Sequence, residues 1–294
     1  MKNLYHFIQI LILSLLTNSL LGQSQPDSSA LFRIETRDGN EYIGLIVASD
    51  SSKVELETSM LGRITLPRTS IVVMSKLNPE SLKAGQVWQE NPQSGRYFWS
   101  PNGYGLRKGE GYYQNIWVLW NQASVGVTDN FSIGAGMIPL FFFGGLPTPV
   151  WIVPKFSIPV VKDKFNLGAG AIAGTFLGEK SSGVGIVYGL GTYGNRNNNL
   201  TLGLGYGYAG GEWSSSPVIT LSGMARVGRK GYIITENYFI GIGNETITLL
   251  SVGGRTIIKK AGFDYGLFVP IISGMDQLIA IPWLGFTVPL GKKY

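Results

Sequence analysis

Between Tyr112 and Leu290, apolar side chains alternate with small or polar ones in runs of roughly ten residues, each ending in a turn. The stretch Leu200-Thr201-Leu202-Gly203-Leu204-Gly205-Tyr206-Gly207-Tyr208 is the plainest example, with large apolar groups on even positions and Thr or Gly between them. Side chains of a strand point alternately to its two faces, so this strand is greasy on one side and nearly bare on the other. Many such strands in succession predict an all-β fold, an antiparallel transmembrane β-barrel with its greasy faces toward lipid. No apolar stretch after the N-terminus approaches the ~20 residues a spanning helix needs.

The turns alternate in character. Thr128-Asp129-Asn130, Val161-Lys162-Asp163-Lys164, Asn195-Arg196-Asn197-Asn198, Gly228-Arg229-Lys230 and Ile258-Lys259-Lys260 are tight. The intervening connections at 143–149, 178–183, 210–217, 241–245 and 272–277 are longer on the whole. Bacterial outer-membrane barrels keep short turns in the periplasm and longer loops outside, so both ends of the barrel are expected on the periplasmic side. About eleven strands follow Tyr112, the first running unbroken to Asp129-Asn130. Closure with both ends on one side requires an even number, so one more strand must carry the chain up first. The run Arg96-Tyr97-Phe98-Trp99-Ser100 is the candidate. The expectation is about twelve strands, or ten if a weak run such as 246–257 is miscounted.

Five shorter alternating runs precede the barrel, over residues 31–77, with a hairpin signal at Asp38-Gly39 between the first two. They predict a small five-stranded SH3-like or Sm-like β module. The run Asp38-Gly39-x-x-Tyr42-x-Gly44 resembles the first Sm-type motif over this segment only. Residues 78–95, with Pro79 and Pro92, read as a linker, and 96–294 as the large barrel.

The last strand carries a further signal. Trp283-x-Gly285-x-x-Val288-x-Leu290 resembles the closing-strand pattern read by the bacterial outer-membrane assembly machinery. Gly285, Val288 and Leu290 match it, while Trp283 stands where a polar residue is usual. The whole layout resembles uncharacterised outer-membrane barrel proteins of Gram-negative bacteria, particularly Bacteroidetes-type ones. That resemblance implies contact with outer-membrane lipid and with the assembly machinery. It also implies a periplasmic module free to meet a protein or cell-wall partner.

Composition agrees with a membrane barrel. The 294 residues include 41 glycines, about twice the usual share of ~7%, and only 14% charged residues against a typical ~25%. Lys2 precedes an apolar run from Phe7 to Leu21, and Gly22-Gln23 is a plausible cleavage point, which makes 1–22 a predicted secretory signal peptide. The net charge of +6 sits largely in turns, at Lys162, Lys164, Arg196, Arg229, Lys230, Lys259 and Lys260, where cations suit lipid headgroups. The export signal argues against a nucleic-acid partner.

Candidate chemistry is sparse. The only His is His6, inside the predicted signal, and there is no Cys, which excludes His- or Cys-based nucleophilic and metal sites in the mature chain. No catalytic, metal or cofactor-binding residue is assigned, no cofactor is expected, and the chain is expected not to be an enzyme. Five charges fall within strands: Lys155, Arg226, Glu236, Arg255 and Asp264. On the lipid face each would cost several kcal/mol near the midplane. Alternation places Arg226 and Asp264 inside, and is ambiguous for Glu236. They form either a lumenal ladder that selects or binds a solute, or salt bridges filling a packed interior. Trp117 and Phe268 are bulky inward candidates. Tyr112, Tyr113, Trp120, Trp151, Trp213, Tyr232, Tyr238 and Trp283, near strand ends, are expected in interfacial girdles. The expected function is passive transport or solute binding across the outer membrane. The alternative is an outer-membrane anchor whose N-terminal module binds a partner.

Overall fold

The computed structural model describes residues 30–77, 82–83, 86–179, 183–243, 245–272, 274 and 277–291. The predicted signal peptide lies outside the described residues, as does part of the 78–95 linker. The chain divides into two compact units, 1–80 and 81–294.

In the first unit, β1 (Leu31–Thr36), β2 (Glu41–Ser49), β3 (Lys53–Thr58), β4 (Gly62–Pro67) and β5 (Ile71–Lys76) form an antiparallel sheet in the order β4-β3-β2-β1-β5. Period-two alternation delivers Ile34, Ile46, Val54, Leu56 and Leu66 to one buried cluster. The first hairpin turns at Gly39, whose φ of 83° glycine adopts without a Cβ clash. The second turn is held by the Asp50 carboxylate, which accepts hydrogen bonds from the Ser52 hydroxyl and from the Ser52 and Lys53 amides.

The second unit opens with a short hairpin, β6 (Leu82–Lys83) and β7 (Gln86–Val87). The barrel strands follow: β8 (Glu110–Ile116), β9 (Trp120–Gly126), β10 (Phe131–Met137), β11 (Thr148–Val161), β12 (Phe165–Leu177), β13 (Val184–Gly194) and β14 (Asn199–Ala209). After them come β16 (Val218–Arg226), β17 (Gly231–Ile242), β18 (Glu245–Ile258), β19 (Ala261–Ile271) and β20 (Ile281–Gly291). The two-residue β15 (Glu212–Trp213) only extends β14 outward, and a one-turn helix, α1 (Pro139–Phe143), sits between β10 and β11. Each barrel strand pairs antiparallel with its neighbours, and β20 returns to β8, so twelve described strands close on themselves. In β14, Leu200, Leu202, Leu204 and Tyr206 face outward while Thr201, Gly203 and Gly205 are buried.

The twelve strands are not those expected. Residues 96–100 form no strand, and only an isolated bridge joins Arg96 to Pro101. The missing strand comes from the run that begins at Tyr112, which breaks into β8 and β9 at Trp117 and Val118. Both have left-handed φ, 50° and 65°, as in the tight turns that match strand twist. Neither residue type favours that region, so the hairpin needs outside support. Flanking asparagines supply it: Asn115 Oδ1 accepts from the Val118 amide at 3.1 Å, and Asn121 Nδ2 donates to the Leu119 carbonyl at 2.8 Å.

Candidate functional site

The segment that failed to become a strand lies inside the barrel. Residues 91–106 enter the lumen from the short-turn end and return to it, forming a plug. Its repeated Pro, Gly and Asn residues turn the backbone too often for a ladder. A buried backbone must still find hydrogen-bond partners, and the barrel wall provides them.

Four of the five strand charges meet the plug or its approach, and the fifth, Asp264, pairs with one of the four. The Arg255 guanidinium, fully buried, makes a bidentate pair with Asp264 at 2.6 and 2.9 Å. Its remaining hydrogens go to the Gln93 carbonyl (2.9 Å), the Tyr97 carbonyl (2.7 Å), Asn91 Oδ1 and Gln93 Oε1. Glu236, also fully buried, accepts the successive amides of Phe98, Trp99 and Ser100 at 2.8–3.0 Å and the Tyr238 hydroxyl at 2.6 Å. Lys155 Nζ donates to the carbonyls of Gly95 (3.1 Å) and Tyr104 (2.6 Å). Arg226, partly buried, donates to the Gln89 carbonyl at 2.6 Å and lies over the rings of Trp88 and Tyr232. Cations thus hold carbonyls and the carboxylate holds amides, so neither kind of plug dipole is left bare.

Apolar contacts complete the fit. Tyr97 and Phe98 are fully buried in a cluster with Ile116, Met224, Tyr232, Ile234, Ile257, Phe268 and Trp283. Ring contacts run without a break from Trp151 through Trp120 (3.8 Å), Trp99 (4.4 Å) and Trp283 (6.3 Å) to Phe268 (5.2 Å). The wall makes room: a Cβ on Gly136 would lie 2.4 Å from the Trp151 ring. The girdle expectation is therefore corrected for Tyr112, Trp120, Trp151, Tyr232, Tyr238 and Trp283, which turn inward. Trp213 is exposed, and Trp117 occupies the β8–β9 turn rather than a strand interior.

Toward the long-loop end the lumen opens into a chamber of about 420 Å³. The plug tip, Trp99 to Pro101, forms its floor, and the wall includes Tyr188, Val218, Ile240, Leu249, Phe268 and Trp283. Barrel interiors of this class are usually polar, and the lining of this chamber is predominantly apolar. Two wall donors, the Tyr188 hydroxyl and Trp283 Nε1, are buried without a hydrogen-bond partner among the described residues. No sequence signal marked the chamber, because the Ile and Leu that line it look like lipid-facing residues until the register is known.

The closed sheet leaves no free edge, its outward positions carry Leu, Ile, Val and aromatic residues, and a segment of its own chain packs inside it. The fold is that of an outer-membrane β-barrel. It is similar to solved structures of OmpT, an outer membrane protein of Vibrio cholerae. A variant with loop L8 deleted has 11% sequence identity and a TM-score of 0.34, with 89% of this chain and 96% of that chain covered. The outer-membrane expressed form has 13% identity and a TM-score of 0.33, with 89% and 94% covered. No protein-family model and no curated protein matches the chain. The expectation that the chain is not an enzyme is withdrawn. The OmpT structures named above supply no ground for excluding activity. Lack of His and Cys leaves carboxylate chemistry untouched.

Proposed function

We propose that this barrel resides in the outer membrane and binds a predominantly apolar solute in the outer half of its lumen. The plug seals the half nearer the periplasm. The apolar chamber above the plug tip carries this reading, since a water-filled pore would be lined by polar groups. Its size falls within the range of small-ligand pockets. On this reading the short-turn end faces the periplasm, and the module of 31–77 enters the chain on that side. The strand order of the module, a four-strand meander with β5 returning beside β1, is compatible with the Sm-like expectation.

The test uses the full chain in lipid nanodiscs with 1-N-phenylnaphthylamine, an apolar acceptor of tryptophan emission. Saturable energy transfer is expected, displaced by decanoate, and lost when Val218→Phe and Ile240→Phe together fill the chamber. Transfer that never saturates, or that persists in the filled variant, would reject the reading. A steady ion conductance of the wild-type chain in planar bilayers would reject the seal.

A further inference from the structure

The barrel wall is not of uniform height. β8, β9 and β10 have seven residues each, whereas the other closing strands have nine to fourteen. A seven-residue strand at the usual tilt rises about 18 Å, short of the ~25 Å apolar band of an outer-membrane barrel. On the β20 side the deficit falls at the long-loop end, because Gly291 of β20 pairs with Glu110 at the foot of β8; on the β11 side, the pairing of Phe131 with Phe156 leaves five β11 residues below β10 and two above it. At the long-loop end β20 pairs with β8 only from Gly285 onward, so Ile281 to Leu284 project past the top of β8, with β19 on one side and only Trp117 of the hairpin turn, whose amide donates to the Leu284 carbonyl at 3.0 Å, on the other. On the far side, Met137 of β10 pairs with Val150 of β11, leaving Thr148 and Pro149 above it. The result is a notch between β20 and β11, with the β8–β9 hairpin as its sill.

The chamber reaches this notch. Trp117, Ile281 and Trp283 line it, and Trp117 and Ile281 are 42% and 41% exposed. The Trp117 ring packs on Trp283 at 5.0 Å and is tethered by Nε1 to the Pro282 carbonyl at 2.8 Å. The Trp117 ring thus stands between Trp283 of the chamber and the hairpin turn. The surroundings are apolar: Val118 and Leu119 on the sill, and Leu140, Phe142, Phe143 and Leu146 in the adjoining loop, are all exposed. Exposed aromatic and aliphatic residues at that height fit lipid better than water.

We propose that the notch is a lateral portal through which a bilayer-dissolved apolar solute passes between the outer leaflet and the chamber, with Trp117 as its door. The proposal rests on the chamber being a binding site. Its substrate class is narrower: a single-chain or small-ring hydrophobe that partitions into lipid, rather than a water-soluble solute reaching the chamber through the extracellular loops.

The test is stopped-flow association of 1-N-phenylnaphthylamine with the full chain in vesicles, at fixed free aqueous probe and with its bilayer partition coefficient varied through lipid composition. Lateral entry makes the association rate follow the mole fraction of probe in the bilayer. Trp117→Gly, which keeps the left-handed backbone and removes the ring, is expected to speed both association and dissociation severalfold. Val118→Arg, on the sill and outside the chamber lining, is expected to slow both. Heat-modifiable migration on gels reports folding of each variant. A rate that follows aqueous probe alone, with both variants matching wild type and saturable binding intact, would overturn the portal and leave the binding site standing. Absence of saturable binding in wild type would remove the site itself, and the portal with it.

Discussion

Arg255 and Glu236 show how a barrel secures a loop inside itself. Each is fully buried, and each saturates its hydrogen-bonding capacity on plug backbone or on a wall partner. Arg255→Ala leaves Asp264 buried and unpaired, which is expected to cost about 3–5 kcal/mol and to appear as a lower urea midpoint in vesicles. An unchanged midpoint would show that the pair contributes no net stability. Asp50, in the N-terminal module, offers a pH prediction. Hydrogen bonds from the Ser52 side chain and amide and the Lys53 amide pull its carboxyl down to about 2 from an ordinary 3.8. A depressed folded-state value stabilises the module above the unfolded value and loses that effect as pH falls through the folded one. The turn should therefore loosen between about pH 4 and pH 2. A carboxyl carbon-13 titration of Asp50 in the full chain checks this, and a midpoint near the ordinary value would refute it. At this scale the strand charges were legible in the sequence as residues that could not face lipid. Their partners were not, because every plug contact spans well over a hundred positions for Arg255 and Glu236.

Among the elements, the plug was the one misread. Arg96-Tyr97-Phe98-Trp99-Ser100 has the aromatic content of a strand, and an even strand count demanded one more. The β8–β9 hairpin met that demand instead, at a turn with no Gly, Asn or Asp in its central positions. Asn115 and Asn121 stabilise it from the flanks, a signal visible only once the two are known to be paired across the hairpin. β17 explains why alternation failed at Glu236. Tyr232, Ile234 and Tyr238 turn inward to pack the plug, while Thr235 and Asn237 bond to neighbouring strand carbonyls. Replacing 92–105 with a short Gly-Ser linker should leave the wall folded and open the lumen. Single-channel steps in planar bilayers, absent from the wild-type chain, are the expected readout. A folded variant that remained non-conducting would show that something other than the plug seals the barrel.

For the whole molecule, two compact units sit in one chain, and only the second is built to meet lipid. The sequence by itself determined the barrel. A period of two, ended by turns of alternating length, permits no other way to bury one greasy face in a membrane without exposing a strand edge. It also determined the even count, because both barrel ends share a side, and it placed the Leu and aromatic residues of strands such as β14 outside. Tertiary structure alone decided what fills the lumen. Whether an aromatic run is a strand or a plug depends on barrel diameter and on distant partners such as Glu236 and Arg255, not on local propensity. The chamber and the low wall beside it follow from where that plug stops and where β8 turns back. Both are set by packing between residues far apart in the chain, which a periodic pattern does not encode.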